Sequence, residues 1–258
     1  MIHRAQIEGV PSEELLRRLL DEARELGADE IVVETSHEAG EGWVRAGFNE
    51  VSRVLAAPVA ALELHLGTER RSSFGSIHIQ TDDAGVVANA VTQFVPRLPG
   101  RSVGSLVVPS RDGWTAVYDE LCDREPEMLR RLALELSNRS GAFVLTLGVE
   151  EGQVVRYVGL DRGRVVDEYL SVPEFYGPLP PGEVIALGAN PRLMARLTGA
   201  DPEEIRRTAV TAPSPAGLPP APVLIANLGR LFGIQGAEQG YEDARGLPNA
   251  IDLPRSPS

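Results

Sequence analysis

Two pairs of adjacent carboxylates, Asp119-Glu120 and Asp167-Glu168, each close a stretch that reads as a β-strand. Brought together at one sheet edge, four carboxylates bind a hard cation, or divide into a general acid and a general base where their surroundings push their proton affinities apart. The competing reading is that strand ends are wet and commonly charged, and an acidic surface carries many such pairs. Trp114, Tyr118, Tyr169, Phe175 and Tyr176 concentrate much of the chain's scarce aromatic content around the same acids, as a ligand pocket with a few polar groups would. Aromatics at alternating strand positions more often fill a core. Phe175-Tyr176, beside Gly177-Pro178, reads instead as a loop and is the leading ligand-contact candidate of the set.

His78 shares a strand face with Ser76 and Gln80, opposite Ile77 and Ile79, which puts it on the polar side of its strand. His65 stands with Glu63 in the same way. An exposed or hydrogen-bonded structural imidazole is the expectation for both, because no nucleophile motif accompanies either. Cys122 lies between Asp119-Glu120 and Asp123, surroundings that disfavour a thiolate, and is expected to be inert.

Composition removes whole classes of chemistry. All 25 cationic residues are arginines, so Schiff-base catalysis, pyridoxal phosphate anchoring and the phosphate-reaching lysine of a P-loop are excluded. One cysteine and four histidines (His3, His37, His65, His78) exclude cysteine-rich zinc sites and leave only oxygen-ligand metals; no metal centre is expected. A formal net charge of -12 without a local basic cluster repels phosphate backbones and anionic lipid, so neither nucleic acid nor a membrane surface is expected as a partner. No apolar run approaches the roughly 18 residues of a membrane span. The start Met1-Ile-His-Arg-Ala-Gln6 lacks the apolar stretch of a secretory signal, and a lone cysteine cannot form an internal disulfide, from which a cytoplasmic location is expected.

The elements that must position these residues follow from periodicity and punctuation. Ser12 caps an expected helix to about Leu26, with Glu13 and Glu14 at its positive end and leucines 15, 16, 19 and 20 on one face. Glu30–Glu34 reads as a buried strand, a short helix spans about Glu38 to Ala46, and two strands follow near Glu50–Leu55 and Val59–Leu66, with Pro58 marking the turn. Polar, aperiodic Gly67–Ser73 is the expected domain boundary. Beyond it, strands are predicted at Ser76–Gln80, Ser105–Val108, Trp114–Tyr118, Phe143–Val149, Val154–Leu160 and Val165–Leu170. Helices are predicted from Asp82 or Asp83 to Phe94, from Pro126 to Gly141, after Asn190-Pro191, after Asp201-Pro202, and over Val223–Phe232. Thr211–Pro222 reads as a loop.

Residues Ser12 to Leu66 resemble the C-terminal half of the GNAT acetyltransferase superfamily. The resemblance rests on the order of elements and on Ser36-x-x-Ala39-x-x-x-Trp43-x-x-x-Gly47-Phe48, which keeps the spacing of the family pattern N-x-x-A-x-x-x-Y-x-x-x-G-F. Trp43 stands where the family carries the tyrosine that commonly protonates the departing coenzyme A thiolate, and an indole cannot supply that proton near neutral pH. Ser36 replaces the asparagine. The place of the family's pyrophosphate loop reads Ile7-Glu-Gly-Val-Pro-Ser12, one glycine with an acidic residue and a proline that lacks an amide donor, which makes a poor cradle. The remainder, with Gly113–Glu120, Asp167–Pro173 and Gly240–Glu242, resembles a bacterial family to which no activity attaches.

The resemblance and the pattern together give an α/β (α+β) chain of two domains. A GNAT-like half domain is expected over residues 1–68, a larger mixed or antiparallel sheet domain with helices over 72–246, and a disordered tail over 247–258. An open half domain exposes a sheet edge, for which a homodimer or a protein partner is the expected cover. The resemblance implies a non-catalytic binding or regulatory protein without a cofactor. Its alternative is an N-acyltransferase using acetyl-CoA, completed by a partner chain or a dimer. Asp119, Glu120, Asp167 and Glu168 are the candidate catalytic residues, and Trp43, Trp114, Tyr169, Phe175 and Tyr176 the candidate ligand contacts.

Overall fold

The computed structural model describes residues 2–6, 11–28, 30–34, 40–51, 54–58 and 73–254, which form an α+β protein. The chain divides into two compact units, one of residues 1–72 with 219–223 and the other of residues 73–218 with 224–258.

The first unit carries β1 (Ile2–Gln6), α1 (Glu13–Glu25), β2 (Glu30–Glu34), α2 (Gly40–Arg45), β3 (Asn49–Val51) and β4 (Val54–Pro58), with sheet order β1-β2-β4-β3. α1 begins where Ser12 accepts the amide of Leu15, and buries Leu16, Leu19, Leu20 and Ala23. β1 and β2 run parallel, β2 and β4 antiparallel. Two expectations need correction. β1 was not predicted, and the hairpin is shifted: β3 ends at Val51, Val54 opposes it, and Pro58 closes β4 instead of marking a turn. Proline fits there because a terminal strand residue need not donate to the ladder. The predicted strand Val59–Leu66 lies outside the described residues, as do His65, Ser36, Ala39 and residues 7–10 of the presumed cofactor loop.

The second unit is built on a seven-stranded antiparallel sheet: β5 (Phe74–Ile79), β6 (Gly104–Arg111), β7 (Trp114–Asp119), β8 (Phe143–Glu150), β9 (Val154–Asp161), β10 (Arg164–Leu170) and β11 (Ile251–Pro254). The order is β10-β9-β8-β5-β7-β6-β11. Helices α3 (Ala84–Phe94), α4 (Glu120–Arg124) and α5 (Pro126–Ser140) cover one face. Their apolar sides meet Ile77, Ile79, Val107, Val117, Val144, Val158 and Leu160. α5 starts with proline at its first turn and stops at Gly141, whose φ of 65° only glycine adopts cheaply. The C-terminal half adds α6 (Pro181–Ala186), α7 (Pro191–Thr198), α8 (Pro202–Thr208), α9 (Ala221–Leu231) and α10 (Tyr241–Ala244). On the second sheet face Leu106, Val108, Ala116 and Tyr118 pack with Tyr241 and Ala244, and the ring of Tyr157 meets Phe232 edge-on.

The tail expected to be disordered is in part a strand. Ile251 to Pro254 pair with Val107 to Gly104, and Ile251 and Leu253 pack against the core while Asp252 and Pro254 face out. Alternation over four residues at a sheet edge suffices for this, and proline is tolerated on an edge.

Candidate functional site

The four candidate carboxylates do not converge. Asp119 closes β7 and Asp167 lies in β10, with β5, β8 and β9 between them. Four interstrand spacings put them about 19 Å apart. Three of them are bonded to their own surroundings. Asp119 is 1% exposed and caps α4: one carboxylate oxygen accepts the amide of Leu121, and the other accepts the hydroxyls of Ser105 (2.5 Å) and Ser102 (2.9 Å). Glu120 pairs with Arg124 one helical turn on. Asp167 accepts the hydroxyl of Tyr157 at 2.7 Å and the amide of Asn190, and burial raises its proton affinity against these two donors. No group of three or more His, Cys, Asp or Glu suited to a metal ion exists among the described residues.

The aromatic candidates separate in the same way. Trp43 is buried in the first unit, where its ring meets Phe48 edge-on at 5.0 Å. Tyr169 is buried under the second sheet face, stacked on Tyr157, with its hydroxyl donating to the carbonyl of Val210. Trp114 meets Phe143 edge-on and lines a shallow cleft of about 530 Å³ with Arg111, Arg230, Gln235 and Glu238. Phe175 packs beside Val154, Leu170 and Val172, while Tyr176 is 59% exposed and bonds Glu150.

His78 is the hydrogen-bonded imidazole of the two forms expected, placed in the core. Both faces of β5 are covered, so Ser76 and His78 are buried although they alternate with isoleucines. The imidazole Nε2 lies 2.8 Å from Ser76 Oγ, and that hydroxyl points at the carbonyl of Leu147. Donation from Nε2–H to Ser76, and from Ser76 to Leu147, leaves Nδ1 as a bare acceptor, the less costly group to leave without a partner. Burial pushes the imidazole pKa down to about 3, so the ring is neutral and structural.

One cleft does bring apolar surface and buried polar groups together. It holds about 370 Å³ between the sheet and the helix-covered side of the second unit, and its wall includes Phe74, Cys122, Leu129, Arg130, Thr146 and Gly148. Its hollow has a backbone cause. Gly75 and Gly148 oppose each other across β5 and β8, and a Cβ on Gly75 would stand 2.6 Å from a Leu129 methyl. The glycine pair therefore lets α5 approach the sheet at this point.

Charged groups ring the hollow and are bonded to one another. Arg156, reaching up from β9, donates through Nε to Glu150 at 2.7 Å and through Nη1 to Glu168 at 2.8 Å. Arg130, from α5, donates to both oxygens of Glu168 at 2.9 Å. Tyr176 donates to the second oxygen of Glu150 at 2.6 Å. Burial alone would lower the Arg156 pKa, but Glu150 and Glu168 outweigh it and the net shift is upward. Deeper in the wall Asp123 accepts the amides of Gly75 and Tyr241, and burial, opposed by those bonds, pushes its pKa up to about 7.

Of the candidate residues, then, Tyr176 lines this cleft, and Glu168 lies behind its wall, bonded to Arg130 and Arg156. Sequence reasoning missed Glu150, Arg156 and Arg130. The available signals were a glycine inside an otherwise apolar strand at Gly148, and charges at Glu150 and Arg156 on the strand face that Gly148 shares. No protein-family model, no curated protein and no solved structure matches the chain.

Proposed function

We propose that this protein is a non-catalytic binding module whose ligand site is the cleft between α5 and β8–β9. The observation that carries the proposal is the form of that cleft: a largely apolar hollow whose mouth holds fixed polar groups, the combination that orients a small molecule. General acid–base work needs a group free to exchange a proton with the substrate. Here Glu150 and Glu168 are held between Arg156, Arg130 and Tyr176. They are suited to recognition.

The acyltransferase alternative draws on the GNAT-like order of strands and helices in the first unit. Against it stands Trp43, a non-acidic ring packed in that unit's core where the resemblance calls for a tyrosine with access to a thiolate. Titration with N-phenyl-1-naphthylamine, an uncharged dye that brightens in apolar surroundings, is expected to saturate at one dye per chain. Acetyl-CoA is expected to give no calorimetric heat, and Trp43→Tyr no acetyl transfer. A dye signal that never saturates removes the binding reading, and stoichiometric acetyl-CoA binding puts the acyltransferase in its place.

A further inference from the structure

The Tyr176 hydroxyl is the one contact at the cleft mouth made by an exposed side chain of a loop, and it rests on a carboxylate that is itself 4% exposed. Glu150 has two oxygens with different partners. Arg156, fixed by a second carboxylate, holds Oε1, while among the described residues Oε2 is held only by the phenol of Tyr176, a residue 59% exposed. Arg130 and Arg156 stand against Glu150 and Glu168, Glu127 is paired with Arg131, and Asp123, half-buried in the cleft wall, is met by backbone amides. An anion would therefore enter against these carboxylates, and any charged ligand at a desolvation cost. A neutral donor meets Glu150 Oε2 as Tyr176 does. We infer that the cleft takes an uncharged hydroxyaromatic molecule, whose rings fill the hollow and whose hydroxyl replaces that of Tyr176 on Glu150, with Tyr176 as the built-in competitor.

This inference rests on the binding reading above and adds the ligand's chemistry to it. Tyr176 and the ligand are alternatives for one acceptor, so removing the competitor strengthens binding. A lost hydroxyl contact usually weakens it. The opposite sign separates a displaceable latch from a lining residue.

The test uses the full-length chain and two probes of equal ring size, 2-naphthol and 2-methoxynaphthalene, titrated at pH 7 by fluorescence. In the wild type 2-naphthol exchanges one phenol hydroxyl for another on Glu150, so the two probes are expected to bind within about threefold of one another. Tyr176→Phe should raise 2-naphthol affinity about tenfold, the worth of one hydrogen bond to a carboxylate at its lower end, and leave 2-methoxynaphthalene within about twofold. Adding Glu150→Gln to Tyr176→Phe should abolish the preference between the probes. Tyr176→Phe is the deciding variant, since its ring is exposed and the change cannot unfold the core. A Tyr176→Phe variant that binds 2-naphthol no better than the wild type does overturns the hydroxyaromatic assignment and leaves the binding reading standing. Failure of both probes to bind overturns the binding reading itself.

Discussion

Arg156→Met is the perturbation that probes the cleft most directly. Methionine keeps much of the aliphatic stem and removes the guanidinium. Glu168 loses one bond at 2.8 Å but keeps Arg130 on both oxygens. Glu150 fares worse, because its side chain is 6% exposed and Arg156 is its only cation among the described residues. It is left as a buried carboxylate supported by Tyr176 alone. Removing one partner of a buried pair costs about 3–5 kcal/mol, and the 26% exposure of Arg156 at an open cleft lets water offset part of that. A loss of about 2–3 kcal/mol follows. Adding Glu150→Gln should recover about 1 kcal/mol or more, since an amide is far cheaper to bury than an unpaired charge.

The assay is urea unfolding followed by tryptophan fluorescence. The chain has two tryptophans, Trp43 in the first unit and Trp114 in the second. Two units need not unfold together, so a Trp43→Phe background makes Trp114 the sole reporter of the unit that carries the cleft. The expected result is a lower midpoint at unchanged slope. A deficit under about 0.5 kcal/mol, or a double variant no more stable than Arg156→Met, would refute the claim that this arginine compensates a buried charge.

Three further outcomes are expected. Asp123 has a folded pKa of about 7 against an ordinary 3.8, so the stability it contributes is fully present below pH 4 and lost as pH rises through 7. Urea midpoints should fall over that window, reflecting a stability loss of at most about 4 kcal/mol, and Asp123→Asn should flatten the curve there. Tyr157→Phe removes the buried hydroxyl bonded to Asp167 and should cost about 2 kcal/mol, readable as a lowered midpoint; a change within about 0.5 kcal/mol would mean that Asp167 does not need this donor. Truncation after Ala250 strips β11 from β6 and withdraws Ile251 and Leu253 from the core. It should cost about 2 kcal/mol and promote self-association visible by light scattering, because the uncovered β6 edge becomes a pairing template.

The parts of this fold legible in the sequence are those whose causes are local. Ser12, Asp83, Asn190 and Asp201 cap helices at the places their side chains and spacing predict, because a cap is an interaction over three residues. The strands β5 to β10 are equally legible from apolar runs and turn residues. Where a sheet is covered on both faces, alternation no longer distinguishes inside from outside: it puts Ser76 and His78 on the polar side of their strand, and that side is buried too. Asp119 is misread for a related reason: its serine partners lie 14 and 17 residues earlier, on a neighbouring strand and the turn before it, so nothing adjacent says that its charge is satisfied. The cleft is the extreme case. Glu150 meets Arg156 across a hairpin, Arg156 meets Glu168 across the next one, and Arg130 reaches Glu168 from a helix 38 residues away. Each residue in isolation is an ordinary charge on an acidic chain. Their chemistry exists only once the paired glycines of β5 and β8 let α5 close on the sheet and take water from among them. A site assembled in this way is sensitive to the approach of one helix. Substitutions at Gly75 or Leu129 should therefore alter ligand affinity as strongly as substitutions among the charges themselves.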